Sequence, residues 1–352
     1  MAMEFDKVVS AFSSEPAKLL IFDGNAALHR VLHIPALLGM RVEDVPTGGI
    51  NGMMKVIRKE LSLFDPHHAI FVWDSSSLSK RRLSLYPDYK ATRPGRSEPK
   101  TLEEAEKRAE YSALFSCQKS RIDCMLNDLG IYSVSLDGYE ADDIIAFLAR
   151  EFSASMQVCI VSDDFDMCML IDKNISVHRP INEELISIDN AKEKLTVTPE
   201  MYMFIKVLCG DKSDNLDGVP KVGPSTAEYI VSKMTAPTIE NLVSTCNDII
   251  SSSVEATSQV KKRVHSVLGN LDIVKRNVDM IDLSKEYFSE ADINKIGSIL
   301  SFPVKANERN IEMIFNKYQF NALTQFFRNW FTPFLRLKPL EVGLMHGRTF
   351  IR

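Results

Sequence analysis

The chain has 352 residues, 45% hydrophobic and 25% charged, enough for one large globular domain with additions or for two domains. No apolar run is long enough to cross a bilayer, the first seventeen residues lack the basic start and apolar core of a secretory signal, and the six cysteines form no CxxC pair, so a disulfide frame or zinc site is excluded and reduced thiols in a cytoplasmic protein are expected. A formal charge of −5 argues against a nucleic-acid partner only until charge location is considered, because setting aside nine carboxylates that group at one site leaves +4.

In chain order, residues 1–17 read as a tail. Three β-rich apolar runs then end in aspartate: Leu19 to Asp23, Ala69 to Asp74, and Val158 to Asp164. Continuous apolar runs of this length predict strands buried on both faces, and the helical patterns between them (Gly52 to Phe64, Asp142 to Phe152) predict a mostly parallel α/β sheet flanked by helices. Sites in such sheets lie beyond the carboxyl ends of the strands, where these aspartates fall. The stretch from Ser75 to Lys100 is polar and basic, with Lys80, Arg81, Arg82, Lys90, Arg93, Arg96 and Lys100 against only Asp88 and Glu98. Its few apolar anchors predict a mobile loop. Thr101 to Leu129 is helical in pattern, and 199–234 reads as helix, glycine-rich turn, helix, with Thr198 as N-cap before Pro199. From Ala306 onward the pattern is helical and aromatic.

The carboxylates form ordered groups: Asp23, Asp74, Glu140-Ala141-Asp142-Asp143, Asp164-Phe165-Asp166, and Asp211 with Asp214. Singly, each is as well explained as a helix-start or turn residue. Together they cannot all stay ionised in one pocket without cations, and oxygen-only ligands suit Mg²⁺ or Mn²⁺ better than zinc. Two such ions can activate water against a phosphodiester.

These residues resemble the 5′-nuclease family: bacteriophage 5′ exonucleases, the 5′-nuclease domain of bacterial DNA polymerase I, and flap endonucleases. The resemblance is carried by Phe22-Asp23-Gly24-Asn25 through Arg30, Phe71-Val72-Trp73-Asp74, Tyr86 through Arg93, Gly138-Tyr139-Glu140-Ala141-Asp142-Asp143, Ser162 through Asp166, and Gly210 through Gly223, over roughly residues 18 to 285. It implies a PIN-like sheet (18–195) with a helical arch at about 75–115, a helix-hairpin-helix (helix–three-turn–helix) DNA-binding region (196–290), and a helical C-terminal extension (291–352). It implies a first metal at Asp23, Asp74, Glu140, Asp142 and Asp143, and a second at Asp164, Asp166, Asp211 and Asp214, with Asp142 near both. Lys90 and Arg93 would steer the scissile phosphate. Arg30, Tyr89, Lys206 and the hairpin residues Gly218, Val219, Lys221, Gly223 and Ser225 would contact DNA, with K⁺ on hairpin carbonyls.

The expected reaction is divalent-metal-dependent 5′ to 3′ hydrolysis of branched, nicked or RNA-primed DNA in replication or repair, with an RNA–DNA hybrid as a further substrate. A stand-alone monomer of a bacterium or a virus-infected cell fits. Three departures stand out. Asp163 precedes Asp164, and either could coordinate. Phe165 stands where relatives carry a small or basic residue, and Ser225 stands where a lysine is usual. The aromatic tail from Phe326 to Leu337 reads as core, with docking of a single-strand binding protein or clamp as the alternative. A DNA-binding protein without catalysis gives no reason to keep nine acids, and a ribonuclease or toxin on the same sheet would lack the arch and hairpin.

Overall fold

The computed structural model describes residues 16–351 except 76, 78, 94–96, 253–256, 286, 346 and 347; most of the N-terminal tail and Arg96 therefore lie outside the described residues. The first three strands of the core are β1 (Lys18–Asp23), β2 (His68–Val72) and β3 (Tyr132–Val134). They are followed by β4 (Gln157–Val161), β5 (Ile175–Arg179) and β6 (Glu184–Ile186). The sheet order is β3-β2-β1-β4-β5-β6, parallel throughout except for the β5–β6 pair. Successive side chains of a strand point to opposite faces. Leu19 and Ile21 accordingly join one core and Leu20 and Phe22 the other, so both faces must be covered. This is why the strands are continuously apolar.

The first face is covered by α5 (Ala141–Ser153), through Ile144, Ile145, Leu148 and Phe152. The second is covered by α1 (Gly24–Leu32), α2 (Gly48–Phe64) and the inner end of the long α4 (Leu102–Leu126). Between α2 and α4 lies α3 (Lys80–Leu85). Thr101 caps α4 by accepting from the Glu104 N–H at 3.1 Å, and Glu103 and Glu104 complement the positive helix end.

The chain order reverses at β1: strands are added outward through β2 to β3, then on the other side from β4. A crevice opens at such a reversal, beyond the strand ends. In register, Asp23 pairs with Val72 and Phe22 with Val161, which sets Asp23, Asp74 and Asp164 along this one edge.

A separate core is built from α6 (Pro199–Cys209), α7 (Pro224–Val231), α8 (Ile239–Ser251), α9 (Ser258–Leu268) and α10 (Leu271–Ile281). Proline opens both α6 and α7, as its fixed φ favours. Thr198 occupies the N-cap position of α6, but its hydroxyl makes no capping bond. Between α6 and α7, Gly210–Asp211 pairs with Leu216–Asp217. Gly210 has φ +73°, and a Cβ there would sit 2.3 Å from the Gly218 nitrogen. A Cβ on Gly218 would lie 2.2 Å from the Cys209 carbonyl carbon, so this crossing admits only glycine.

The residues beyond 290 pack back on the sheet. Ile293, Ile296 and Leu300 join the first face, and Phe315, Phe327, Trp330, Phe331 and Phe334 join the second. The aromatic tail is thus core, with Phe326 (66%) and Leu335 (59%) its exposed apolar exceptions. The extension is not all helical: Val342–Met345 and Arg348–Ile351 form an antiparallel ladder in which Val342 pairs with Ile351. Short apolar runs with β-branched residues read ambiguously, and pairing decides them. Among the described residues, no helix is long and apolar enough to cross a membrane.

Candidate active site

Asp23 ends β1 and caps α1, its Oδ1 accepting from the Ala26 N–H at 2.9 Å and its Oδ2 from Ser162 Oγ at 3.0 Å. Burial pushes its carboxyl up to about 6, with the charges of Asp74 and Asp164 adding to the effect and the two hydrogen bonds opposing it. Asp74 accepts from the Ala141 N–H at 2.8 Å, which docks the start of α5 on the end of β2. Asp142 sits one residue inside α5. Burial, then Asp164, Asp23 and Asp74, hold its carboxyl well above the usual range. These four acids feel one another, so the structure brings them to one place.

Glu140, just before α5, is also buried. Its Oε2 meets three donors: Arg82 Nη1 at 3.0 Å, the Tyr89 hydroxyl at 2.9 Å and Lys90 Nζ at 2.8 Å. Burial would raise its carboxyl, but Arg82 and Lys90 outweigh that and hold it low. Its other oxygen, Oε1, is buried and meets no donor in hydrogen-bond geometry. Asp143 behaves differently. Both its oxygens are held by Arg82 at 2.8 Å, so the expectation of Asp143 as a metal ligand is corrected: it is the counter-ion of a buried guanidinium.

The remaining acids form a second set around Lys206 of α6. Its Nζ lies 2.7 Å from Asp166 Oδ1, 2.8 Å from Asp166 Oδ2 and 2.7 Å from Asp211 Oδ2. Burial would lower the Lys206 pKa, but Asp166 and Asp211 outweigh it and raise it, so the ammonium is held charged between the two acids. Burial and Asp164 push Asp166 up to about 6 despite Lys206. Burial would raise Asp211 too, but hydrogen bonds from Lys206 and Ser213 carry it down to about 2. Asp164 is exposed and accepts from the Asp166 N–H at 2.8 Å. Asp163 points elsewhere: it is ion-paired with Arg30 and accepts from the Ile181 N–H. That geometry favours Asp164 of the two neighbours, and it places Arg30 on Asp163.

The basic segment reaches both sets of acids. Arg93 Nη2 lies 2.6 Å from Asp214 Oδ1, and the Tyr89 hydroxyl lies 3.0 Å from Asp214 Oδ2. The Lys90 N–H donates to the Asp214 carbonyl at 2.8 Å, and Asn215 Nδ2 to the Asp88 carbonyl at 2.8 Å. The expectation of few apolar anchors fails at Tyr89, which is 2% exposed and belongs to the third core. A ring so buried has no face left to offer DNA. Arg82, Tyr89, Asp142, Asp166, Asp211 and Asp214 line one cleft. Among the described residues, no three acidic, imidazole or thiol groups converge closely enough to chelate one ion as they stand.

Four participants had no assigned role in the sequence: Arg82, Ser162, Lys119, whose Nζ donates to the Asp74 carbonyl at 2.8 Å, and Asn25, which accepts from the Asp74 N–H at 3.2 Å. Asn25 and Ser162 stand inside the acidic motifs and Arg82 in a run of basic residues, while Lys119 left no trace. In the hairpin, Lys221, Gly223 and Ser225 are exposed, and nothing lies within 4 Å of a Cβ built on Gly223. Gly218 is half-buried. Val219 is buried and its N–H is bonded to the Leu208 carbonyl at 2.8 Å, so it anchors the hairpin and has no amide to offer a phosphate.

The family model for the 5′-3′ exonuclease N-terminal, resolvase-like domain matches residues 18–196. A 5′-3′ exonuclease of Aquifex aeolicus is 31% identical over 227 residues, which cover 64% of this chain and 72% of that protein. One from Bacillus subtilis is 33% identical over 221 residues, covering 61% and 69%. DNA polymerase I of Rhizobium leguminosarum is 25% identical over 286 residues, but these span only 26% of the polymerase. The fold matches T5 5′-exonuclease with divalent metal ions (zinc) bound, at a TM-score of 0.61 and 20% identity over 79% of this chain and 93% of that one. It also matches a bacteriophage T5 flap endonuclease complex with DNA and metal ions, at 0.59 and 19% identity, over 86% and 99%. The chain belongs to the 5′-3′ exonuclease family and is a hydrolase of the nuclease class.

Proposed function

We propose that this nuclease hydrolyses phosphodiesters in DNA near a 5′ end, at flaps, nicks and RNA-primed junctions, in the cytoplasm and as a monomer, with two Mg²⁺ ions that Mn²⁺ can replace. One observation carries the reading. Asp23, Asp74, Asp142 and Asp164 crowd together beside a buried Glu140 oxygen that has no donor, a charge arrangement that calls for cations. Asp23, Asp74, Glu140 and Asp142 would hold the first ion, and Asp164, Asp166, Asp211 and Asp214 the second. Contacts through water suit Mg²⁺, which dehydrates reluctantly, and acids spaced too widely to chelate one ion directly. When bound, the ions supply an activated water and stabilise the leaving oxygen.

The chain's own groups do the rest. Lys90 and Arg93, now on Glu140 and Asp214, would transfer to the scissile phosphate and stabilise its developing charge. The hairpin would lay Lys221, the open Gly223 and the start of α7 against duplex phosphates, with K⁺ on its carbonyls. Catalysis falls to 18–195 with the arch at about 75–115, duplex grip to 196–290, and support of the sheet to 291–352.

The test is a labelled 5′-flap duplex, a nicked duplex and an RNA-primed duplex, each with and without Mg²⁺. Metal-dependent cutting near the junction is expected. No cutting of any substrate with Mg²⁺ or Mn²⁺ would leave a DNA-binding protein as the better reading.

A further inference from the structure

Arg82 lies on α3, at the foot of the basic segment, and is 3% exposed. Besides its bonds to Glu140 and Asp143, its Nε donates to the Met280 carbonyl at 3.0 Å. One buried guanidinium therefore ties together the foot of the arch, the start of α5 and the end of α10. Only an arginine fork reaches this many acceptors in fixed directions; a lysine ammonium cannot reproduce the bidentate hold on Asp143.

The consequence for Glu140 is asymmetric. Arg82, Tyr89 and Lys90 all converge on Oε2, while Oε1 stays buried without a donor. A buried carboxylate oxygen left in this state is unfavourable unless another cation takes it. Asp143, with both oxygens used, keeps the guanidinium neutralised in place.

We infer that Arg82 is a positioning residue for the nuclease reaction: it holds Glu140 by Oε2 so that Oε1 stays available to a divalent ion, with Asp143 as its fixed counter-charge. The inference rests on the metal-dependent reading above. The competing role is purely structural, in which Arg82 only neutralises the buried Asp143.

The experiment compares the full-length parent chain with Arg82→Lys, Arg82→Gln and the pair Arg82→Gln/Asp143→Asn. Mn²⁺ binding without DNA is followed by electron paramagnetic resonance, and kcat and KM are measured separately on a 5′-flap duplex. The pair variant removes one buried charge of each sign and leaves Glu140 paired with Lys90, so it is expected to fold as the parent does. It should nevertheless bind Mn²⁺ roughly 10-fold more weakly and lose about 10- to 100-fold in kcat, the usual effect of removing a group that orients a ligand, with KM for DNA unchanged. Arg82→Lys should recover only part of the Mn²⁺ affinity. If the pair matches the parent in Mn²⁺ affinity and kcat, Arg82 is a neutraliser and the inference is overturned. If the pair does not fold, Arg82→Lys decides, and parent-level binding and kcat in that variant overturn it equally. A parent that neither binds Mn²⁺ nor cuts overturns the metal-dependent reading together with the inference.

Discussion

Lys206 Nζ stands 2.7 Å from both Asp166 Oδ1 and Asp211 Oδ2, a single ammonium bridging two acids from different parts of the chain. It links the turn after β4 to the turn after α6, and so ties the helical core of α6 to α10 to the sheet. The two acids respond in opposite directions, Asp166 up to about 6 and Asp211 down to about 2. Burial and the nearby Asp164 dominate at the first, hydrogen bonds from Lys206 and Ser213 at the second.

Replacing Lys206 by Met should leave these acids to repel each other. Because the pair is only partly buried, a loss of roughly 1–2 kcal/mol is expected, below the fully buried case. Thermal melts with and without Mg²⁺ check this. The midpoint should fall in metal-free buffer and recover most of the loss when Mg²⁺ is added. An unchanged metal-free midpoint would show that the bridge contributes nothing.

The raised carboxyls set a pH dependence. Asp23 and Asp166 titrate near 6 in the folded protein against 3.8 ordinarily, so the folded state holds more protons between these values. Their contribution to stability therefore falls as pH rises from about 4 to 6 in metal-free buffer and stays low above that. Metal binding must displace these protons and that of Asp142, whose carboxyl is also held well above the usual range, so Mn²⁺ affinity should climb by up to about 10-fold per pH unit per proton below 6 and less steeply above it. A Mn²⁺ titration from pH 5 to 8 that gave a flat affinity would contradict the assignment.

Lys90→Ala and Arg93→Ala should each slow single-turnover cleavage of a flap duplex about 10²- to 10³-fold, the range for removing one group that stabilises transition-state charge. DNA affinity should change far less. A loss confined to affinity would make these residues docking contacts only.

In the hairpin, Lys221→Ala should weaken duplex binding on all sequences alike and lower the salt dependence by about one phosphate contact. Gly218→Ala should abolish duplex binding by forcing the hairpin off Cys209, while Mn²⁺ binding by the first set of acids persists. Parent-like duplex binding by Gly218→Ala would mean that the crossing can relax.

Much of this arrangement is legible in the sequence because it is local. Strands buried on both faces must be continuously apolar, so β1, β2 and β4 and the aspartates that end them are visible without coordinates. The helix–hairpin–helix is marked by its prolines and glycines, whose backbone demands are short-range. What tertiary structure alone decided is which charges spend themselves on one another. Asp143 and Asp142 are neighbours in an acidic run, yet a guanidinium from α3 captures the first and leaves the second among other acids. Asp163 and Asp164 are separated the same way by Arg30, and Tyr89 is drawn from a polar segment into a core. Ion pairing and burial depend on distances across the fold, which spacing along the chain does not encode.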